Sequence, residues 1–385
     1  MDILCFGGNV WWYHNRNHFD IQMLRCCAQY GNSIYINSIV MQKPNVSQGR
    51  EFIHKLVRKA RSIFQGLRRI DEGFWVYSPF SLPVHHICWL RPLNRMLLQF
   101  QLWLVTRKLR IQNPVVWVAC PAACDVAINM KKNRLVYQRT DCFEEFPGVD
   151  TKIVREYDRK LKAAADLTLF VNRILYEEES KQCKRALYVD HGVDYRMFAS
   201  AEKIEDVPNE MREMKRPVVG FFGYIEDHTV DIGFIEKVVD YLPEKSFVFV
   251  GEAMADCSGL MAKDNVWMLG KKPYEQIPHY GKCFDVAIMP WRQNRWIQAC
   301  NPIKLKEYLA LGKPVVSTSA FSEIQKYLDV IYVADTFEEF AQCILKALNE
   351  DSPERIAARR KKVRKATWDN KAQIVLKELF RSNEF

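Results

Sequence analysis

A chain of 385 residues is too long for one ordinary hydrophobic core and suits two domains. Its 48% hydrophobic and 26% charged content excludes the disordered and fibrous classes, and a net charge of +10 calls for an acidic partner such as phosphate groups or anionic lipid. No stretch reaches eighteen uninterrupted apolar residues and the Met1-Asp2 start carries no signal pattern, so neither a membrane span nor a leader is expected.

In chain order, Asp2 to Gly8 reads as a parallel strand ending in a glycine turn. The two glycines fall short of the dinucleotide fingerprint. The loop that follows, Trp11 to His18, is aromatic and polar and lies at a strand's carboxyl end, where open α/β sheets bind ligands. His14, Arg16 and His18 are its candidate binding groups; aromatic packing with capping polar residues would give the same composition. Phe19 to Tyr30 reads as a helix and Ser33 to Ile39 as the second strand. Twelve cysteines, Cys26-Cys27 among them, show neither disulfide-framework nor zinc spacing, so reduced thiols and no metal site are expected.

Residues 50–70 place nine apolar side chains, Phe52 to Ile70, within an arc of about 140° at helical spacing. Seven cations, among them Arg58, Lys59, Arg61 and Arg68, occupy the rest of the circle, opposed by Glu51 alone. A single-sign basic face opposite Phe and Leu is the pattern of a helix lying on an anionic membrane. A soluble helix with a solvated basic face is the alternative; nucleic-acid binding is disfavoured because no recognised module surrounds the segment.

Arg91 to Arg110 is a second apolar and basic helix, Pro114 to Val118 a core strand and Leu135 to Gln138 another. The latter runs into Arg139-Thr140-Asp141-Cys142-Phe143-Glu144-Glu145-Phe146-Pro147-Gly148. A strand-end carboxylate such as Asp141 can remove a proton from an attacking hydroxyl, and it can also simply cap a helix or loop. Thr151 to Ala165 is helical and Asp166 to Asn172 a strand and turn. The charged stretch Glu202 to Arg216 opens a second domain. There Pro217 to Ile225 repeats strand and glycine turn, with a helix from about Asp231; Ser246–Gly251, Val266–Gly270 and Asp285–Pro290 are further strands.

The most informative stretch is Asn301 to Thr318. Asn301 suits an N-cap, Pro302 the first helical position, and Gly312 the left-handed residue after the last turn. Lys304 falls in the first turn, where the helix dipole disfavours a cation unless an anion sits there too. Glu307 follows on the same face; a carboxylate repels phosphate but accepts well from sugar hydroxyls. The pair points to a sugar beside a phosphate, and a surface helix with an ordinary Lys/Glu pair is the plain alternative.

This stretch resembles the nucleotide-sugar motif of bacterial GT-B glycosyltransferases of the family-4-like group. It is most similar to the subgroup with Asn-Pro-x-Lys-x-x-Glu, which includes teichuronic-acid-type enzymes. The resemblance implies an α/β GT-B fold: two Rossmann-like domains with a donor/acceptor cleft between them. The domains would be 1–200 for the acceptor and 201–366 for the nucleotide sugar, with a helix over 367–385 crossing back to the first. By the same resemblance Glu307 meets the nucleotide ribose, and Asn301, Pro302, Ile303 and Lys304 face the diphosphate. Gly223 and Tyr224 form the glycine loop, and Lys271 and Tyr274 lie beside the base; at the end of another strand, Arg292 or Arg295 is the candidate that adds to the diphosphate site. Asp141 is the implied base, and His14, Arg16, His18, Arg139 and His191 are acceptor-side residues, His191 also reading as a plain loop histidine. Ala299 stands where many members carry a first glutamate, which leaves retention or inversion open.

The expectation is a cytoplasmic enzyme, peripheral at the inner face of the plasma membrane through residues 50–70. It would move a sugar from a nucleotide donor, a UDP-sugar by resemblance, to a cell-surface glycan or lipid-linked acceptor, with no cofactor, no metal and no nucleic acid. A sugar-nucleotide epimerase of the same fold and a non-catalytic sugar-nucleotide-binding partner are the alternatives.

Overall fold

The computed structural model describes residues 1–13, 18–39, 50–82, 87–146, 148–203 and 205–381, without the side chains of 50–56 and 88. The chain divides into two compact units, Met1–Asp190 with Lys371–Phe385, and His191–Asn370. The first border falls ten residues before the expected 200/201, because Val193 and Phe198 are buried in the core of the second unit.

The first unit is built on β1 (Ile3–Phe6), β2 (Ser33–Ile36), β3 (Leu67–Asp71), β4 (Phe74–Tyr77), β5 (Val115–Val118), β6 (Arg134–Arg139), β7 (Leu167–Phe170) and β8 (Ala186–Tyr188). They form one sheet in the order β3-β4-β2-β1-β5-β6-β7-β8, parallel except for β3 against β4. The apolar runs of β1, β2 and β5 are buried throughout, as strands covered on both faces must be.

The helix expected over 50–70 is corrected. It spans Arg50–Gln65 and stops at Gly66, whose φ of +57° ends the turn. Leu67–Asp71 then becomes the antiparallel edge strand β3, returning through Glu72 and Gly73 into β4. Arg68, Arg69 and Ile70 therefore belong to a sheet edge, and the turn residues Asp71-Glu72-Gly73 were the sequence signal for it.

The second unit carries β9 (Val218–Phe222), β10 (Ser246–Val250), β11 (Val266–Met268), β12 (Val286–Met289), β13 (Val315–Ser317) and β14 (Tyr332–Val333). All pair in parallel in the order β11-β10-β9-β12-β13-β14. This is the doubly wound order, whose direction of travel reverses between β9 and β12. Side chains alternate along β9: Val218 and Phe222 enter the core on one face, Val219 and Phe221 the core on the other. The helices Ile232–Tyr241 and Phe337–Asn349 cover the Val219 face, while Ile303–Leu311 buries Leu305, Tyr308 and Leu309 on the Phe222 face.

The eleven described cysteines are free thiols. Among the described residues, no helix is long and apolar enough to cross a membrane.

Candidate functional site

In an open α/β sheet the loops after two neighbouring strands part where the strand order reverses, leaving a crevice at their carboxyl ends. In the second unit that point lies between β9 and β12. The loop after β9 starts at Gly223 and the loop after β12 at Pro290-Trp291. Several bonds join the two: Arg292 N–H to the Thr229 carbonyl (2.9 Å), Asn294 Nδ2 to the His228 carbonyl (2.8 Å), and Asp231 N–H to the Pro290 carbonyl (3.0 Å).

The helix Ile303–Leu311 enters this region with its amino end. Asn301 is not its cap: Pro302 is, with an extended ψ of 119°, and Ile303 is the first helical residue. Proline offers no side-chain cap to the first turn, and no carboxylate lies in that turn. The far end is closed. Gly312, at φ 82°, sends its N–H to Leu309 and Tyr308, and two arginines of the helix Pro353–Val363 take the last carbonyls. Arg359 Nε donates to Gly312 at 2.8 Å and an Arg360 guanidinium N–H to Leu311 at 3.1 Å. Cations at the carboxyl end and a proline cap at the amino end, which leaves the first-turn N–H groups without a bond from the cap's own side chain, both suit an anion at the latter. Residues Leu305 to Leu311 are all buried, so the surface-helix alternative does not hold.

Lys304 reaches across from this first turn. Its Nζ lies 4.5 Å from the centre of the Phe221 ring and 5.4 Å from that of Trp291. Among the described residues the ammonium has these rings as neighbours and no ion-pair partner. Burial pushes its pKa down to about 8, with only part of the fall offset by the charges of Glu307 and Glu226. Gly223 makes room for it: at φ +137°, a Cβ there would stand 2.3 Å from Lys304 Nζ.

Glu307, one turn further along, is buried and accepts from the Tyr274 hydroxyl at 2.8 Å. Burial first, and then the Glu307 charge, hold the Tyr274 pKa well above its ordinary value, so the phenol keeps its proton and donates. The helix is fixed to the sheet by Tyr308, whose hydroxyl accepts from Phe222 N–H at 2.8 Å.

The structure thus brings together Gly223, Lys304, Glu307 and Tyr274. Tyr224 stands beside Gly223 with the Lys271 ammonium 5.9 Å from its ring centre; Lys271 also lies 3.6 Å from Glu252. Arg292 turns away toward Val230 and Asp231, its Nε 3.4 Å from the Val230 carbonyl. Phe221, Trp291 and Glu226 were not singled out in the sequence. An aromatic residue directly after an apolar strand was the available signal for Trp291.

In the first unit, Arg139 is not placed to serve an acceptor. It is buried on β6 and donates to Glu144 at 2.9 and 3.0 Å and to Glu179 at 3.1 Å twice. Lys162 reaches Asp158 and Glu179 at 2.5 Å, and the Tyr137 hydroxyl donates to Asp158 at 2.7 Å. This network anchors the turn Phe143–Glu145 and with it the partly exposed Asp141 at the carboxyl end of β6. Burial lowers the pKa of His18, with Asp20 opposing the fall, so the ring is neutral at neutral pH. His14 and Arg16 lie outside the described residues. His191, in the second unit, packs edge-on to Trp368, and its carbonyl accepts from the buried Lys306. Among the described residues no three His, Cys, Asp or Glu side chains are grouped to hold a metal ion.

Residues 216–350, the stretch that carries the loops after β9 and β12 and the helix Ile303–Leu311, match the family model described as glycosyl transferases group 1. The chain is 28% identical over 230 residues to a Bacillus subtilis (strain 168) protein described as a candidate teichuronic acid biosynthesis glycosyltransferase, TuaH. That match spans 57% of this chain and 57% of the relative's length. Among solved structures, sucrose-phosphate synthase from Thermosynechococcus elongatus superposes with a TM-score of 0.71 at 12% identity, covering 99% of this chain and 98% of its own. A glycosyltransferase from Rickettsia africae gives 0.66 at 11%, covering 99% and 98%. Anabaena Alr3699/HepE in complex with UDP and glucose gives 0.60 at 13%, covering 98% and 95%. At such identities the likeness is one of fold, and that fold is GT-B.

Proposed function

We propose that this chain, which carries a group 1 glycosyltransferase domain in its second unit, transfers a glycosyl group from a nucleotide-sugar donor to a hydroxyl of a glycan or lipid-linked acceptor. The observation that carries the proposal is Lys304: an ammonium held against two aromatic rings in the first turn of a helix, with no ion-pair partner among the described residues. That site suits a diphosphate.

In this reading the leaving nucleoside diphosphate lies across Gly223 and the first turn of Ile303–Leu311. Lys304 and the helix N–H groups offset the charge that grows on the leaving oxygen as the glycosidic bond breaks. Glu307, oriented by Tyr274, accepts from the ribose hydroxyls. Tyr224 and Lys271 are donor residues at the rim. Asp141 is the proposed base for the acceptor hydroxyl. UDP is the proposed nucleotide, as in the Anabaena complex, and a cell-envelope polysaccharide the proposed product, as the name of the Bacillus relative suggests. Association with an anionic membrane through the Arg50–Gln65 helix, at the cytoplasmic face, completes the proposal.

The test is a panel of nucleotide sugars incubated with the full chain and lipid-linked or oligosaccharide acceptors, with the products identified by mass spectrometry. Transfer supports the proposal. Conversion of the donor without acceptor would instead indicate an epimerase. Binding without either reaction would indicate a partner protein, the outcome to which Ala299 in place of a glutamate points.

A further inference from the structure

The helix Arg91–Lys108 is apolar on two opposite sides. One side buries Leu98, Leu102 and Val105 in the core of the first unit, together with Asn94. The other carries Leu93, Met96, Phe100, Trp103 and Leu104 within an arc of about 100°, and Trp89 precedes it in the preceding turn. These six side chains are between 48% and 78% exposed. Single exposed apolar residues need no explanation, but a contiguous helical stripe of this size marks an interaction surface. The stripe is ordered: the Phe100 and Trp103 rings stack at 5.9 Å, and the Arg107 guanidinium lies 5.3 Å from the centre of the Trp103 ring.

Charge decides what covers it. From Trp89 to Ile111 there are five cations and no carboxylate. Arg91 is held by Glu156 at 3.7 Å, whereas Arg107, Lys108 and Arg110 are exposed at the end of the stripe. A second copy laid face to face on this helix would set its cations against the same cations, with no acid on the helix itself to offset them. An anionic bilayer supplies both missing halves: hydrocarbon for Leu, Met and Phe, and phosphate for the cations. Tryptophan suits the boundary between the two, and long basic side chains can reach the headgroups from a partly immersed helix.

We propose that the exposed face of Arg91–Lys108, with Trp89, is a membrane-docking surface that seats the first unit on anionic lipid. It is a different element from Arg50–Gln65, and it does not depend on the donor proposal, because vesicle binding is scored without nucleotide.

The experiment is co-sedimentation of the full chain with vesicles of phosphatidylcholine alone or mixed with phosphatidylglycerol, across a salt series. The wild type should sediment with the mixed vesicles and retain a residual at high salt from its apolar contacts. The variant M96S/F100S/W103S, altered only at exposed positions, should lose on the order of 100-fold in partitioning with unchanged circular dichroism. R107E/K108E should lose the preference for anionic over neutral vesicles. A wild type that stays in the supernatant at low salt, or a triple variant that binds as the wild type does, overturns the proposal. So does light scattering that finds a wild-type dimer and a monomeric triple variant, since the face would then join two copies.

Discussion

At Lys304 two effects oppose each other. Desolvation by Phe221 and Trp291 pushes the pKa to about 8, while a phosphate beside the ammonium would push it back up. Lys304→Ala should therefore weaken UDP binding about 10- to 100-fold, the range for a lost charge-assisted hydrogen bond. Wild-type affinity should be flat between about pH 7 and 8, above the second ionisation of the UDP phosphate, and fall above pH 8 by up to about tenfold per pH unit, with proton uptake on binding visible in calorimetry across buffers of different ionisation enthalpy. The effect on folding has the opposite slope. The folded value lies below the ordinary 10.5, so the unfolded chain holds more protons between about 8 and 10.5. This residue's share of stability then rises with pH across that window. Gly223→Ala should reproduce the binding loss with Lys304 itself unmutated, because the added Cβ displaces its Nζ; wild-type affinity in that variant would contradict the placement. Asp141→Asn should cost on the order of 100-fold in turnover with donor affinity unchanged if Asp141 is the base. That Lys304 and Glu307 share a helix face was legible in their spacing, since residues three apart on a helix are neighbours whatever the fold. The rings beneath Lys304 were not, because β9 and β12 meet it only through the sheet order.

Among the elements, the helix Ile303–Leu311 shows how local signals and tertiary packing divide the work. Its end at Gly312 is readable from sequence, because a left-handed residue followed by proline stops a helix. Its start is off by one residue, since proline serves here as the cap with an extended ψ. Its burial on nearly every side, and the two arginines that close it from Pro353–Val363, depend on contacts far along the chain. The segment 50–70 failed for a related reason. Its helical periodicity continues past Gly66 by coincidence, whereas a two-strand edge gains backbone pairing that a longer helix would forgo. The Arg139 network is likewise invisible in sequence, as its acids come from residues 144, 158 and 179. Burial alone would raise the Glu144 carboxyl, but hydrogen bonds from Arg139 and its charge hold it below the ordinary 4.5. Its contribution to stability is present above that value and lost as the pH falls through the lower, folded one. Arg139→Met should destabilise the first unit by about 3–5 kcal/mol, because three carboxylates would be left with Lys162 alone; urea denaturation measures this. A loss below about 1 kcal/mol would mean that water, rather than Arg139, solvates these acids.

For the whole molecule, two parallel sheets with their own cores were expected from length, from the repeated strand–glycine–helix opening at residues 2–8 and 217–225, and from the family resemblance. The strands β4, β8 and β14 were not anticipated, being short and lacking any strong alternation. Nothing in the sequence indicated that the helix Arg91–Lys108 would leave its second apolar side exposed, because both sides carry the same residue types. The functional account places donor binding wholly in the second unit. Hydrogen exchange with UDP should then protect residues 221–226, 271–274 and 301–308, and protection confined to the first unit would be inconsistent with it. The most direct measurement is isothermal titration of UDP, and of uridine as the phosphate-free control, into the wild type and Lys304→Ala at pH 7.5. The account predicts that UDP binds the wild type, that the variant binds it at least about tenfold more weakly, and that uridine does not distinguish the two proteins. Equal UDP affinities in wild type and variant, or no UDP binding by the folded wild type, would contradict a diphosphate site at the crevice between β9 and β12.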